Sequence, residues 1–254
     1  MTMVAETIDQ ALTHWAIDGS AATAAEAEAA LATRPLLVLM HGFGSFEGDL
    51  IGLAPGLPKG FVCASPRAPL IAPPPIVNGF SWWPLRMTPD GTVLREPPPE
   101  EFVGSGPHRG ATAVLEWLDA LESRVEGGLP SIAIMGFSQG GCLVTSLLRL
   151  RPERFTCGVN CSGFVAPGSF EGDRELTETL PPMFWGYDPA DPVIGPERIA
   201  ELAEWGPRHT TLEARSYPGI AHSISGEELA DISAFLARQV PEASTSGRVD
   251  GVAT

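Results

Sequence analysis

Gly136-Phe137-Ser138-Gln139-Gly140-Gly141 follows a short apolar run, Ile132 to Met135, and opens a longer apolar-periodic one. A strand running into a helix with a serine at the bend gives Gly-x-Ser-x-Gly a mechanism. The glycines tolerate the cramped turn, which lifts the hydroxyl above the end of a sheet, and the helix aims its free N–H groups at that hydroxyl. Glycine makes up 28 of 254 residues, so a chain of this composition yields roughly 0.2 such matches by chance. The motif therefore needs the rest of its apparatus elsewhere in the chain.

Working outward, Leu36 to Met40 is a continuous apolar run that reads as a strand buried on both faces, and it ends at His41-Gly42-Phe43-Gly44. A glycine-relaxed loop of this kind leaves backbone N–H groups free to bind an oxyanion. Further strands are predicted near Leu12–Ile17 and over Phe61–Ser65, Phe155–Cys161, Pro182–Tyr187 and Leu212–Tyr217. Asp49 to Leu53 is read as the start of a short helix. Helices are predicted over Pro107–Val125, from Gln139 to Pro152, over Pro196–Trp205 with a stop at Gly206-Pro207, and after a Ser225-x-x-Glu228 capping spacing. The Ala21–Ala32 segment favours helix by composition but shows no apolar stripe, so it is read as a surface helix or loop. Alternating strands and helices imply an α/β fold, a mainly parallel sheet covered on both faces and without a large separate cap. The predicted organisation is an N-terminal strand plus Ala-rich segment over 1–34, the α/β domain over 35–240 and a disordered tail over 241–254.

Ligands in such folds sit beyond the carboxyl ends of the strands. Ser138, His41, Asp191 and His222 each fall just after a predicted strand and so share that edge. A serine hydroxyl needs a base within hydrogen-bond reach, and the base needs a group that holds its tautomer. His14, His108 and His209 have the wrong placement, and His41 is better suited to bracing the glycine loop, which leaves His222 as the base. Two carboxylates, Asp188 and Asp191, follow the Pro182–Tyr187 strand. Asp191 is preferred because Pro-Val and Gly-Pro after it start the next helix, and Asp188 is the alternative. The order Ser, Asp, His is that of the α/β-hydrolases.

Residues 66–105 break this rhythm with Pro73-Pro74-Pro75, Pro97-Pro98-Pro99 and the aromatics Phe80, Trp82 and Trp83. Prolines forbid a regular central element here, and a long irregular segment inside a domain is usually functional or disordered. The segment is read as a semi-rigid wall over the site, with Phe80, Trp82 and Trp83 lining the substrate pocket. The alternative is aromatics that anchor the loop without touching ligand.

With 44% hydrophobic residues, a chain of this length buries a substantial core. A formal net charge of −15 repels nucleic-acid phosphates and anionic lipid, which leaves a small neutral or apolar partner. Met1 to Gln10 carries Glu6 and Asp9 and has no apolar core, so no secretory signal is expected; nor does any stretch reach the length of a membrane span. A soluble cytoplasmic protein without integral membrane association is the default. Cys63, Cys142, Cys157 and Cys161 form no C-x-x-C pair. On one strand face Cys157 and Cys161 lie roughly 13 Å apart, beyond the reach of a bridge, so buried free thiols are expected. No His/Cys/carboxylate cluster has metal-ligand spacing, and the chemistry calls for no metal or organic cofactor.

His41-Gly-Phe-Gly, Gly136-Phe-Ser-Gln-Gly-Gly, Asp191-Pro-Val and Tyr217-Pro-Gly-Ile-Ala-His222-Ser resemble the phospholipase/carboxylesterase family of α/β-hydrolases, which includes acyl-protein thioesterases and lysophospholipase-like esterases. The resemblance runs from about Leu36 to Leu236. It implies Ser138 as nucleophile, Asp191 as orienting acid, His222 as base and the backbone N–H groups of Phe43 and Gln139 as oxyanion hole. The Ala-rich start and the Trp82-Trp83 segment do not map closely onto the thioesterases, which favours a small-molecule ester as substrate. The alternatives are a lysophospholipase or thioesterase using an apolar channel lined by Ile71, Ile76, Val77 and the tryptophans, a dienelactone-type hydrolase, against which Ser138 counts because that group uses cysteine, and a non-catalytic ligand-binding scaffold. A homodimer is compatible with each.

Overall fold

The structure, a computed structural model, describes residues 7–88, 94 and 99–244. The chain opens with an antiparallel hairpin, β1 (Thr13–Ile17) and β2 (Ser20–Ala22), followed by helix α1 (Ala24–Leu31). Strand β3 (Leu36–Met40) and a 3-10 helix at Leu50–Gly56 lead to β4 (Val62–Pro66). Two short strands, β5 (Leu70–Ile71) and β6 (Phe80–Ser81), form a separate antiparallel pair. Then come α2 (Gly106–Glu122), β7 (Ile132–Phe137), α3 (Gln139–Leu150), β8 (Cys157–Cys161), α4 (Asp173–Thr179), β9 (Pro182–Tyr187), α5 (Gly195–His209), β10 (Thr211–Ser216) and α6 (Gly226–Gln239).

Among the described residues eight strands make one sheet in the order β10-β9-β8-β7-β3-β4-β1-β2. From β4 to β10 every pairing is parallel; the β4–β1 and β1–β2 pairings at the other edge are antiparallel, so that β1 runs against the other strands of this sheet. The continuous apolar runs are explained by burial on both sides. Leu36, Val38 and Met40 of β3, with Ile132 and Ile134 of β7, pack into one layer with Val114 and Leu118 of α2 and Leu143 and Leu147 of α3. Leu37, Leu39, Ala133 and Met135 face the opposite layer, with Ile232, Phe235 and Leu236 of α6. Period-two alternation sends successive residues to opposite faces, so neither face reaches water. All four cysteines are buried and free, and burial pushes the thiols of Cys63, Cys142 and Cys157 up to about 12.

The Ala-rich segment takes the helical of its two readings, a largely exposed helix with a complete capping box at Thr23 and Glu26 that buries Ala27 and Leu31. Two expectations need correction. Helix α5 does not stop at Gly206-Pro207 but continues to His209. Gly206 has no side chain and so lets β10 close in, Leu212 lying 2.8 Å from where its Cβ would be. The Gly206 carbonyl is then satisfied by Thr210 through both its N–H and its hydroxyl. At the C-terminus, Pro241–Ser244 forms a 3-10 helix that buries Ala243, whose carbonyl accepts the Gly60 N–H. The rest of the tail, 245–254, lies outside the described residues, as do residues 1–6, 89–93 and 95–98, and with them part of the expected wall. Among the described residues no helix is long and apolar enough to cross a membrane.

Candidate active site

Ser138 stands between the end of β7 and the start of α3 with φ 54° and ψ −111°. A non-glycine residue held there costs about 1–3 kcal/mol and persists only where its surroundings fix it. They do so from three sides. The Ser138 N–H donates to the Cys161 carbonyl at 2.9 Å, which ties the bend to the end of β8. Gly136 and Gly140 allow the strand and helix to touch: a Cβ on Gly136 would lie 2.1 Å from the Gly140 carbonyl oxygen, and one on Gly140 would lie 1.9 Å from that of Met40. The second contact also seats the end of β3 against the start of α3.

The loop after β3 therefore lies beside the serine, and a Cβ on Gly42 would sit 3.5 Å from Ser138 Cβ. His41 braces this loop from a fully buried position. Its Nδ1 donates to the Gly42 carbonyl at 2.8 Å, which leaves Nε2 to accept the Ala68 N–H at 3.2 Å. That pattern requires the neutral ring, and burial lowers its pKa from the usual imidazole value accordingly. Among the described residues, neither the Phe43 nor the Gln139 backbone N–H donates to a protein acceptor.

Asp191 and His222 come together at the same edge. His222 Nδ1 lies 2.7 Å from Asp191 Oδ2, while Asp191 Oδ1 accepts the N–H groups of Val193 and Ile194 at 2.8 and 3.1 Å. The His222 ring packs 4.8 Å from the ring of Phe137, the residue before Ser138. No hydrogen bond joins Ser138 Oγ to His222 among the described residues; such contacts are often long before substrate binds. Asp188, the alternative acid, does not meet the imidazole. Its Oδ1 accepts the Ala190 N–H at 2.9 Å, and its Oδ2 accepts those of Gly219 and Ala221 at 2.8 Å each. These donors, Ala190 first, lower its pKa below the ordinary carboxylate value.

The aromatic segment lies elsewhere than expected. Trp82 is 0% exposed and has no face left for a ligand. Its indole N–H donates to the His41 carbonyl at 2.8 Å, and its backbone N–H donates to Gln139 Oε1 at 2.9 Å. Gln139 Nε2 in turn donates to the Trp83 carbonyl at 3.0 Å, and Trp83 is buried too. Phe80 is half-buried under the Arg67 guanidinium, 4.5 Å from its ring centroid, and its backbone pairs with Gly44 and Ser45. The tryptophans thus form a buttress for the glycine loop rather than a pocket wall. The Gln139 side chain clamps the buttress to the serine bend, a role that its place in the Gly-x-Ser-x-Gly motif does not reveal. No group of three or more His, Cys, Asp or Glu among the described residues is placed to hold a metal.

The profile of the phospholipase/carboxylesterase family matches residues 114–240, half of the chain, and spans Ser138, Asp191 and His222. The chain belongs to this family. A probable carboxylesterase of Oryza sativa subsp. japonica is 32% identical over 124 residues, covering 46% of this chain and 45% of the relative. The acyl-protein thioesterase 1 of Candida albicans is 28% identical over 218 residues, covering 79% and 90%. The chain spans about half the length of the plant carboxylesterases it matches. In fold it is similar to the esterase PE8, with a TM-score of 0.65, 19% identity and coverage of 93% of this chain and 100% of that one. The Bacillus cereus carboxylesterase gives a TM-score of 0.65 at 16% identity, covering 89% and 93%.

Proposed function

We propose that this protein is a serine carboxylesterase that hydrolyses small to medium acyl esters through an acyl-enzyme on Ser138. The observation that carries the reading is the Asp191–His222 hydrogen bond, set beside a serine in a strained bend. An ionised Asp191 can only accept, so Nδ1 of His222 carries the proton and Nε2 presents a lone pair. Nε2 takes the Ser138 proton as Oγ attacks the ester carbonyl. The free N–H groups of Phe43 and Gln139 stabilise the oxyanion. Collapse expels the alcohol, which receives that proton from His222. Water then repeats the sequence on the acyl-enzyme, releasing the acid and restoring Ser138.

p-Nitrophenyl esters from acetate to palmitate test this, with wild type beside Ser138→Ala. Turnover on at least one chain length, reduced roughly 10³-fold or more in the variant, is expected. An activity that survives in Ser138→Ala, or none in either protein, would end the reading. A second reading, a thioesterase or lysophospholipase acting on longer chains, is supported by the Candida albicans relative and by Ile71 and Val77, each 81% exposed. An optimum at long acyl chains would select it.

A further inference from the structure

Two helices begin with the same Ser/Thr-x-x-Glu spacing and end with their glutamates in opposite places. At α1, Glu26 is exposed and its carboxylate accepts the Thr23 backbone N–H at 2.8 Å, closing the box. At α6 only half of the box forms: the Glu228 N–H donates to Ser225 Oγ at 3.0 Å. The Glu228 side chain turns inward instead, with the residue 0% exposed. Neither of its carboxyl oxygens has a hydrogen-bond partner among the described residues.

The place it occupies bears on the site. Glu228 Oε1 fills the space beside Gly186 on β9, 2.1 Å from where a Cβ there would lie, and the Cys161 thiol at the end of β8 is its neighbour. These are the strand ends that hold the serine bend. The Cys161 carbonyl accepts the Ser138 N–H, and the Gly186 carbonyl accepts that of Ser162, itself bent at φ 44°. Two residues beyond Gly186 begins the turn with Asp188 and Asp191.

The ionisable groups around Glu228 are Cys161 from β8, Asp231 one turn along α6, and Tyr217 from the loop after β10, whose hydroxyl donates to Asp231. Arg215 pairs with Glu213 and Asp231, and no cation pairs with Glu228 among the described residues. Burial above all pushes the Glu228 carboxyl up to about 7, against the opposing pull of the Ser225 N–H and the Cys161 thiol and with the Asp231 charge adding last.

Resting on the esterase reading, we propose that Glu228 is a positioning residue for Ser138 that works as an uncharged acid wedged against Cys161 and Gly186. Loss of its proton leaves an anion in a dry space with only the Ser225 N–H and the Cys161 thiol close to it among the described residues, neither in full hydrogen-bond geometry. The relief open to it is the seat Glu26 already takes at α1, outward on the backbone N–H of its own N-cap. That movement empties the wedge behind the Cys161 anchor, loosens the bend and lowers hydrolysis at alkaline pH.

The test is the pH profile of kcat/KM on an ester whose leaving alcohol does not ionise, for wild type and Glu228→Gln, together with melting temperatures over the same range. The wild-type rate should fall about tenfold over the two pH units above neutrality, whereas Glu228→Gln, neutral throughout, should show no such limb and should melt above wild type on that side. Superposable profiles overturn the inference and leave the esterase reading standing. So does an unfolded Glu228→Gln, since the neutral isostere should be at least as stable. A wild type with no Ser138-dependent hydrolysis overturns both.

Discussion

Asp188 and Asp191 lie three residues apart on one turn, both buried and both hydrogen-bonded by backbone N–H groups, yet they hold different things. Asp191 spends one oxygen on its own turn and the other on the His222 ring. Asp188 also spends one on its own turn, but the other grips the backbone of the loop that carries His222, at Gly219 and Ala221. On the proposed mechanism one carboxylate sets the protonation pattern of the ring, and the other sets where the ring stands. Two residues of the same type on one turn would thus divide electronic and positional control, so changes that look alike in sequence should differ in size and in kind.

The largest effect should come from Asp191→Asn. The amide can present its oxygen to His222 only by turning its NH₂ toward the Val193 and Ile194 N–H groups, so it favours the wrong imidazole tautomer. A fall in kcat of roughly 10⁴-fold with KM little changed is expected, the scale found when the tautomer is lost in serine proteases. A loss below about tenfold would move the orienting role away from Asp191.

Asp188→Asn should cost less, about 10- to 100-fold, because a loosened loop misplaces the ring without changing its tautomer. Asn supplies one acceptor oxygen where Asp188 serves three N–H groups with two. The double variant should be little worse than Asp191→Asn alone, since positioning a ring in the wrong tautomer recovers nothing. Full multiplication of the two losses would mean that the residues act through independent routes.

The division between the two aspartates could not be read from the chain. Both follow β9 and both precede turn-forming residues, and only the returning 219–222 loop distinguishes them. The sheet was legible because a run such as Leu36–Met40 satisfies both layers at once, and the serine bend because strand, glycines and helix coincide there. His222 could be reached by eliminating the other histidines. The tryptophans could not, since aromatics in a proline-rich segment look alike whether they wall a pocket or fill a gap. A signal did exist in Gly106 and Gly110, one turn apart on α2. A Cβ on the first would lie 2.6 Å from the Trp83 ring, and one on the second 3.2 Å from the Trp82 carbonyl. The Ser225-x-x-Glu228 spacing marks Glu228 as the partner of a capping box, but spacing does not say which way a side chain turns.

The smallest effect expected is on stability, and its sign sets Asp188 apart from Glu228. Asp188 titrates below its ordinary value in the fold, so the unfolded chain takes up the proton first as pH falls. Its contribution is complete above the ordinary carboxylate value and is lost in acid as pH drops through the lowered folded value. Glu228 titrates above its ordinary value, so its contribution is complete in acid and disappears as pH rises toward about 7. Denaturant melts of wild type against Asp188→Asn should therefore show a gap at neutral pH that closes in acid. Wild type against Glu228→Gln should show the variant gaining as pH rises. If the Asp188 gap stays constant into acid, its carboxylate does not hold the His222 loop through its charge, and the division of labour on this turn reduces to hydrogen-bond geometry that a neutral side chain could supply.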